Sequence, residues 1–431
     1  MAVAKPASPA ASRLDGLTRP PGGGWLGAAR DAALSRLQGM GLPAPRDEYW
    51  RFTRPADLNA AAPAPAAPVE SAEAEALYDG TDRLRLVFRD GAFDAEASDA
   101  LTGEGLEIAR LAEAGGTDIH WAADLYGALE ADGQSPVPRP FAALNTAHAT
   151  DGVLIRATAA VSRPVEIVYL HEDAASDPIL HHVIRVEEGA SLTLLETGTV
   201  GARCNTAMEV DVASHGAFHH IRDQGRAHAR RTNTHAFARL GGASVFKSFT
   251  LSLNGALTRN EHVVAFTGND ATAHVACAAI GDGRQAPMHH DDTVFITHDA
   301  VNCESRQVFK KVLKNGAVGV FQGKILVKRG AQKTDGYQIS QALLLDDDSQ
   351  FLAKPELEIY ADDVACSHGS TTGAIDEDML FYLRARGVPE RRATDLLVLA
   401  FLAETLEEIG DEAIAESLRQ RLSTWLDRHA G

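Results

Sequence analysis

A cysteine and a histidine two residues apart stand out near the end of the chain. Cys366 and His368 follow a short apolar stretch and two neighbouring acids, Asp362 and Asp363. In an extended segment the side chains of residues i and i+2 point to the same face, so this thiol and imidazole could together bind a soft metal or a sulfur species. Two ligands are too few for a closed metal site. The pair therefore predicts half of a shared site that another chain completes.

Each of these residues also has an ordinary structural interpretation. A histidine where a strand domain meets a helical one can be a helix cap or a hydrogen-bonded residue, and a lone cysteine commonly packs as a small hydrophobe. Asp362 and Asp363 could supply hard ligands for iron or cap the turn between strand and helix. Spacing alone leaves these alternatives open.

A second group of candidate ligands is the run Met288–Asp292, which holds two histidines and two acids. Neighbours in a strand face opposite sides, so only residues two apart can converge, such as His289 with Asp291. The other such pair is His290 with Asp292. One pair makes a weak metal site, so we interpret the run as structural. The remaining cysteines, for which we predict packing roles only, are Cys204, Cys277 and Cys303.

Residues 306–333 form a basic stretch without a single acid. Such a run is usually one solvated face of a sheet. The alternative is that it meets an acidic surface of a partner subunit. Its basic residues are Arg306, Lys310, Lys311, Lys314, Lys324, Lys328, Arg329 and Lys333.

Composition narrows the function classes. The chain has 431 residues and a formal net charge of -18, which argues against nucleic acid or an anionic membrane as the main partner. None of the four cysteines has CxxC spacing, so neither a self-contained zinc site nor a disulfide framework is indicated. No run approaches the roughly 20 apolar residues of a membrane span. The N-terminus reads as a disordered Ala/Pro tail without an apolar segment, so we expect a cytoplasmic protein.

Three regions differ in character. Residues 1–145 are rich in Ala, Pro and acids and are predicted to be mostly helical. Residues 146–362 hold many short strand-like runs, such as Val165–Leu170 and Val245–Leu253, separated by glycines and lacking helical intervals. This excludes alternating strands and helices and leaves a sandwich or a β-solenoid, of which the solenoid better suits the length. Residues 363–431 predict three helices, and the open ends of a solenoid predict helical caps or a partner.

A series of short motifs resembles the SufB/SufD family of iron–sulfur cluster assembly scaffolds. The resemblance is dense in the C-terminal third of the chain and loose elsewhere, and an ordered series is far more specific than one motif. Within the family, the Cys-Ser-His-Gly version at 366–369 and the aromatic cluster at 49–53 resemble the SufD branch. The matching motifs are Asn302–Gln307, Gly319–Ile325, Ala331–Gln338, Leu343–Leu345, Lys354–Pro355, Leu357–Ile359, Asp362–Val364 and Phe381–Gly387.

The resemblance implies a right-handed parallel β-helix with helical regions at both ends. It implies a SufB-type partner bound through the β-helix and a SufC-type ABC ATPase bound through the C-terminal helices, with sulfur delivered by a cysteine desulfurase and carrier working with SufB. His368, supported by Cys366, would be a ligand of iron or a nascent cluster, held transiently at the interface with SufB. A homodimer could form in isolation. The candidate SufC contacts are Leu380, Phe381, Leu383, Leu396, Leu399 and Leu406.

Catalysis by this chain alone has no support in the sequence. It lacks a GxxxxGK[ST] motif, so we expect no ATP site, and it lacks GxSxG and HExxH motifs. The first hypothesis is therefore a non-catalytic assembly scaffold. One alternative is an architectural adaptor with the same partners but no ligand role for His368. A β-helix enzyme acting on polysaccharides is disfavoured by the missing signal peptide and by the C-terminal helices, which would have no purpose there.

Overall fold

The computed structural model describes residues 13–14, 16–68, 77–117, 119–225 and 227–428. The Ala/Pro tail predicted at the N-terminus falls mostly outside these residues. Two ten-stranded sheets dominate the described part of the chain. No helix within it is long and apolar enough to cross a membrane.

Twenty strands build the two sheets. The first four are β1 (Leu84–Arg89), β2 (Ala92–Asp94), β3 (Thr102–Gly103) and β4 (Leu106–Arg110). The other sixteen are β5 (Val153–Ala157), β6 (Val165–Leu170), β7 (Ile179–Val186), β8 (Ser191–Gly198), β9 (Arg203–Val212), β10 (Ala217–Asp223), β11 (Arg231–Leu240), β12 (Val245–Leu253), β13 (Leu257–Phe266), β14 (Thr272–Asp282), β15 (His289–His298), β16 (Glu304–Lys314), β17 (Val318–Val327), β18 (Thr334–Leu344), β19 (Gln350–Ile359) and β20 (Val364–Gly373).

From β5 onward the chain alternates between the sheets. Even-numbered strands join one sheet, here sheet A, and odd-numbered strands join the other, sheet B. Each strand runs parallel to the strand two later in sequence, as β14 does to β16 and β15 to β17. Strands β5 to β20 therefore form eight coils of a parallel β-solenoid, which confirms the predicted β-helix core.

Both faces of most strands are buried, which explains the irregular patterns in the sequence. In β14, Val275 and Cys277 point into the solenoid and belong to its internal apolar core. The alternate residues Ala276 and Ala278 belong to a second core under the C-terminal helices. A strand covered on both sides has no clean alternation of apolar and polar residues.

The inside of the solenoid also holds a hydrogen-bonded polar network. The Tyr169 hydroxyl donates to Glu196 Oε1 at 2.7 Å, and His220 Nε2 lies 2.6 Å from Glu196 Oε2. Arg222 donates to Glu196 at 2.8 Å and to the Thr234 hydroxyl at 3.0 Å. Burial alone would raise the pKa of Glu196, but Arg222 and His220 hold it well below its usual range. Buried polar groups of this kind must be paired, since leaving one unpaired costs about 1–3 kcal/mol.

The two ends of the solenoid differ. At the N-terminal end, β1 pairs with β2 and β4 pairs with β3 and β5, in each case antiparallel, so hairpins extend the stack there by short strands. At the C-terminal end, β19 and β20 are the last strands of their sheets, and each pairs on one side only. Both ends of the stack therefore finish on edge strands, but these are the short hairpin strands β2 and β3 at the N-terminal end and the long strands β19 and β20 at the C-terminal end, which we call the open end.

Helices cover the flanks of the solenoid. The N-terminal helices share a core with outward residues of sheet B such as Phe237, and the last two helices of the chain share one with outward residues of sheet A such as Phe249. At the C-terminal end the helices lie on the flank and β19 and β20 stay uncovered, so of the predicted helical caps or partner, the partner stays a prediction for this end. The helices are α1 (Gly24–Met40), α2 (Ala56–Asn59), α3 (Leu111–Ala114), α4 (Ala128–Asp132), α5 (Pro140–His148), α6 (Glu377–Ala385), α7 (Glu390–Leu406) and α8 (Glu412–Arg428).

The aromatic cluster near residue 50 is a buried anchor between the N-terminal region and sheet B. Tyr49 packs edge-on against Phe295 with ring centroids 5.0 Å apart, and Trp50 packs edge-on against Phe141 at 5.4 Å. The Arg259 guanidinium lies 4.2 Å from the centroid of the Trp50 ring. Aromatic pairs of this geometry contribute about 0.5–1.5 kcal/mol beyond their burial.

The division into regions 1–145, 146–362 and 363–431 stays a prediction, but the secondary structure shifts its edges. Strands β1 to β4 lie within the region expected to be mostly helical. Strand β20 lies beyond residue 362, so the solenoid continues to Gly373 and the first C-terminal helix begins only at Glu377. Few apolar residues mark β20, because its edge position leaves it largely exposed.

The tight stacking of coils gives a testable prediction at Gly152. A Cβ atom there would lie 1.8 Å from the backbone oxygen of His181 on the next coil. We expect Gly152→Ala to lower the free energy of unfolding by about 2–3 kcal/mol, because backbone atoms cannot move aside cheaply. Urea denaturation measures the change. Gly330→Ala is the matched control, since its Cβ would meet nothing within 4 Å, and equal stabilities of the two variants would contradict the argument.

Candidate functional site

Cys366 and His368 both lie on β20, the edge strand of the last coil. The expected junction between a strand and a helix is not there, because residues 374–376 separate β20 from α6. In the register of β18 and β20, Cys366 stands beside Gly336 and His368 beside Gln338. The candidate site therefore belongs to the open end of the solenoid.

Both side chains occupy inward positions of β20. The Ser340 hydroxyl of β18, which is buried, donates to the Ser370 hydroxyl at 3.1 Å, so Ser370 faces the interior. His368 and Cys366 are two and four residues earlier and share that face. His368 is nevertheless exposed. Strand β20 belongs to the last coil, and no further coil is stacked on it to cover its inward side chains.

Cys366 is half-buried. It packs beside Ile325 and Val327, and burial raises the pKa of its thiol. Gly336 gives it room, since a Cβ atom on that glycine would lie 3.2 Å from Cys366 Sγ. The interpretation of Cys366 as a small packing residue and its role as a ligand beside His368 are both compatible with this position.

A column of buried glutamines continues inward from His368. Gln338 is adjacent in register to His368, and Gln307 is adjacent to Gln338. Both are fully buried, and their amide atoms have no hydrogen-bond partner among the described residues. The Gln338 side chain crosses the interior towards Gly323 of sheet B, where a Cβ atom would lie 2.4 Å from its amide nitrogen. The open end therefore leads into a polar interior, which the sequence did not reveal.

Asp362 and Asp363 lie in the exposed turn between β19 and β20. The expectation that they cap a turn from strand to helix is therefore wrong, because another strand follows them. The Asp363 backbone N–H donates to the Gln332 side chain at 2.9 Å, and the Asp363 carbonyl accepts from the Lys333 N–H at 2.5 Å. These contacts hold the turn to the preceding coil.

The basic stretch at 306–333 is not one solvated face. It runs through β16 and β17, which lie in opposite sheets. Lys310 is buried beneath Phe401 and pairs with Glu404, whereas Lys311 is buried inside the solenoid. Lys328 remains exposed and pairs with Asp299 at 2.7 Å. The sequence could not separate these roles, because neighbouring strands in the chain belong to different sheets.

The run Met288–Asp292 divides between two faces of β15, as period-two geometry requires. His289 and Asp291 face the N-terminal region, where the Thr53 hydroxyl lies 2.9 Å from His289 Nε2 and donates to Asp291 at 2.5 Å. His290 and Asp292 face the solenoid interior and are fully buried. The outward pair has the structural role that we expected.

Helix α6 carries an exposed apolar surface. Asp376 caps the helix by accepting the Met379 N–H at 2.9 Å, and no residue of α6 is buried. Phe381 is 73 % exposed, Met379 55 % and Tyr382 53 %. Solvent-exposed aromatic residues that cluster on one short helix typically mark an interaction surface. Phe381 was among the contacts predicted from the sequence, whereas Met379 and Tyr382 were not.

Only part of the predicted contact set is available on this surface. Leu396 is exposed, and Leu380, Leu383 and Leu399 are half-buried. Leu406 is 2 % exposed and packs in the core between the C-terminal helices and sheet A. Leu406 is therefore removed from the set, because the flank of the solenoid already covers it.

Comparison with known proteins identifies the family. The family model described as SUF system FeS cluster assembly, SufBD core domain, matches residues 170–401, which is more than half of the chain. The chain belongs to the SufBD family. This confirms the resemblance seen in the sequence motifs, and the matched region covers the solenoid from β7 to β20 together with α6 and most of α7.

Individual SufBD relatives match over most of the chain. The iron–sulfur cluster assembly protein SufD of Escherichia coli strain K12 is 27% identical over 398 residues, covering 90% of both chains. A SufBD family protein of Synechocystis is 29% identical over 417 residues, covering 91% of this chain and 90% of that one. SufD of Bacillus subtilis strain 168 is 28% identical over 268 residues, or 60% of each. The similarity to SufD is consistent with the SufD-like motifs.

Cysteine reactivity provides a test of the site. Cys204, Cys277 and Cys303 are buried, and burial raises the pKa of each, to about 11 for Cys204. We expect a thiol reagent to modify one cysteine per native chain, Cys366, and all four in urea. Because the thiolate is the nucleophile and the pKa of Cys366 is raised, its rate should keep rising with pH above the usual thiol pKa.

The control for this labelling is Cys366→Ser, which should leave no prompt reaction in the native protein. Mass spectrometry of peptides identifies the modified residue. Prompt modification of Cys204 or Cys277 in the native state would show that the solenoid interior is open to solvent and would contradict the description of the site.

Proposed function

We propose that this SufBD protein is a non-catalytic scaffold subunit for iron–sulfur cluster assembly, which works in complex with a SufB-type paralogue and a SufC-type ATPase. The observation that carries the proposal is the open last coil, which presents His368 on an inward-facing but uncovered position. Membership of the SufBD family supports the general process. The identity of the partners and the role of His368 are the proposed part, as is the expected cytoplasmic location.

The open edge supports a partner with the same architecture. Strands β19 and β20 leave one row of backbone N–H and C=O groups unpaired, and such an edge is a template for pairing with another strand. A second solenoid that meets this end would extend both sheets and cover Ile359 and Tyr360, which are 40 % and 62 % exposed. We expect a SufB-type chain to occupy this edge, and a second copy of this chain to do so only when that partner is missing.

The same contact would complete the ligand set. His368 offers one imidazole nitrogen and Cys366 one sulfur, so the remaining ligands for iron or a nascent cluster would come from the partner. The ion or cluster is cargo that is held transiently at the interface. Covering the last coil would also exclude water from the site, because the residues behind His368, such as Gln338, are already buried.

The surface on α6 supports a contact with the ATPase subunit. Phe381, Met379 and Tyr382 offer large apolar side chains, and aromatic anchors of this kind commonly dominate binding energy at interfaces. Helices α7 and α8 are docked on sheet A through ion pairs such as Arg421 with Asp223, at 2.8 Å. The proposed contact surface is therefore held on a fixed support. ATP hydrolysis would take place in the SufC-type subunit, and sulfur would arrive by way of the SufB-type subunit.

Co-expression of the three proteins tests the proposal. The full chain carries a tag, and the SufB-like and SufC-like proteins of the same organism are produced with it. Mass determination of the purified assembly should show all three. Purification of the tagged chain without either partner would overturn the proposed scaffold role and leave the family and the solenoid unaffected.

Substitution of His368 tests the ligand role. We expect His368→Asn to leave assembly of the complex unchanged and to lower reconstituted cluster formation at least about tenfold, because one ligand of the shared site is lost. The matched control is His215→Asn, another exposed histidine, which lies in a turn with φ of 59° where asparagine is well tolerated. Normal cluster formation by His368→Asn would favour the architectural adaptor.

Substitution of Phe381 tests the ATPase contact. Phe381→Ala should weaken binding of the SufC-type subunit at least about tenfold without changing the free energy of unfolding, because its side chain is exposed in the isolated chain. Ile119→Ala is the control, since Ile119 is 91 % exposed and lies in the N-terminal region. Titration calorimetry measures the affinities. Unchanged binding by Phe381→Ala would remove α6 from the proposed interface.

A further inference from the structure

A second group of metal-ligating side chains lies inside the solenoid, away from the open end. Cys277 of β14 faces His290 and Asp292 of β15 across the interior, and the three ligating atoms lie within 4.8 Å of one another. All three residues are buried, with exposures of 1 % or less. Sequence reasoning did not find the group, because its thiol and its imidazole come from opposite sheets.

A lysine completes the group. Lys311 of β16 is fully buried and its Nζ lies 2.6 Å from Asp292 Oδ2 and 2.8 Å from His290 Nδ1. His290 Nδ1 is itself 3.5 Å from Asp292 Oδ2. The lysine therefore holds the imidazole and carboxylate together and balances the charge of Asp292.

The hydrogen bonds of this group are not all satisfied. Because His290 Nδ1 accepts from Lys311, its other nitrogen carries the proton, and that Nε2 has no hydrogen-bond partner among the described residues. A buried donor without a partner costs about 1–3 kcal/mol. Apolar residues of similar volume often replace a buried ion pair at no loss of stability. Folding alone therefore does not account for this combination of residues.

We infer that Cys277, His290 and Asp292 form a binding site for one divalent transition-metal ion of the zinc or ferrous type. Sulfur, nitrogen and oxygen donors together suit such borderline ions and do not suit calcium or magnesium. The second oxygen of Asp292 accepts from Asn260 at 3.3 Å, which orients the first oxygen towards the site. This site lies several strands away from His368 and does not depend on the proposed interface.

The charges balance when the ion binds. One proton leaves the Cys277 thiol and one leaves His290 Nε2, and both pass to solvent, while Nδ1 keeps its hydrogen bond to Lys311. The ion adds two positive charges, so the total charge of the cluster does not change. Three protein ligands result, with a fourth position for water. Because all three ligands are buried inside the solenoid, we expect the ion to enter while the chain folds.

Cobalt(II) is the probe that tests the site. The full chain is produced in cells grown with added Co²⁺ and purified, and its metal content and absorption spectrum are recorded. We expect about one cobalt per chain and a near-ultraviolet thiolate-to-cobalt charge-transfer band. Cys277→Ser should abolish that band and lower the cobalt content at least about tenfold, whereas the matched control Cys204→Ser, another buried cysteine, should keep both.

Lys311→Met provides a second measurement that does not rely on the cysteine. With the ammonium gone, Asp292 is charge-balanced only by an ion, so this variant should retain cobalt and should unfold at lower urea concentration once a chelator is present during refolding. Any of three results would overturn the inference. The wild-type chain could contain no cobalt, the charge-transfer band could persist in Cys277→Ser, or the stability of Lys311→Met could be the same with and without the chelator.

Discussion

Backbone pairing between successive coils is the interaction on which the rest of the structure depends. Every strand from β7 to β18 has a neighbour on each side, so its N–H and C=O groups are satisfied within the chain. Coils can be added in this way without limit. The last coil, however, always has one row of backbone N–H and C=O groups without a strand to pair with. At the N-terminal end antiparallel hairpins shorten the edge to β2 and β3, of three and two residues, whereas at the other end the ten-residue strands β19 and β20 form the edges.

The open end and the polar interior are connected features. A solenoid this long could be filled with aliphatic residues, yet its inner face holds Glu196, Arg222, Asp292 and Lys311 among the apolar side chains. Buried charges are costly unless they are paired, and here each one has a partner. Ion pairs inside the solenoid also fix the register of neighbouring strands. The side chain of His368 on the last coil is therefore held at a fixed position next to Gln338.

The sequence predicts the solenoid well where a strand carries a dense run of apolar residues. The runs Val165–Leu170 and Val245–Leu253 coincide with β6 and β12, because β-branched and aromatic residues dominate them. Strands β9 and β11 are less evident in the sequence, because Asn205 and Thr206 in β9 and Thr232, Asn233 and Thr234 in β11 stand among their apolar residues. The bounds of the last coil were missed for a related reason, since β20 is exposed and carries small polar residues that read as a turn.

The sequence predicted which residues form the candidate site but not which residues and strands surround it. The spacing of Cys366 and His368 correctly placed them on one face, since that follows from period-two geometry alone. Their position at a free edge depends on which strands pair, and the glutamines behind them come from distant segments. For the same reason Leu406 was wrongly included as a contact, because its burial results from docking of α7 on sheet A.

The short connection between β20 and α6 has a mechanical consequence. Three residues join the strand that carries His368 to the helix that carries Phe381, and such a segment spans at most about 14 Å between its flanking residues. A subunit that binds α6 and moves it beyond this maximum span must also displace β20. The connection therefore couples α6 directly to the last coil. A displacement of α6 can move β20 without first moving α7 and α8, which are packed on sheet A.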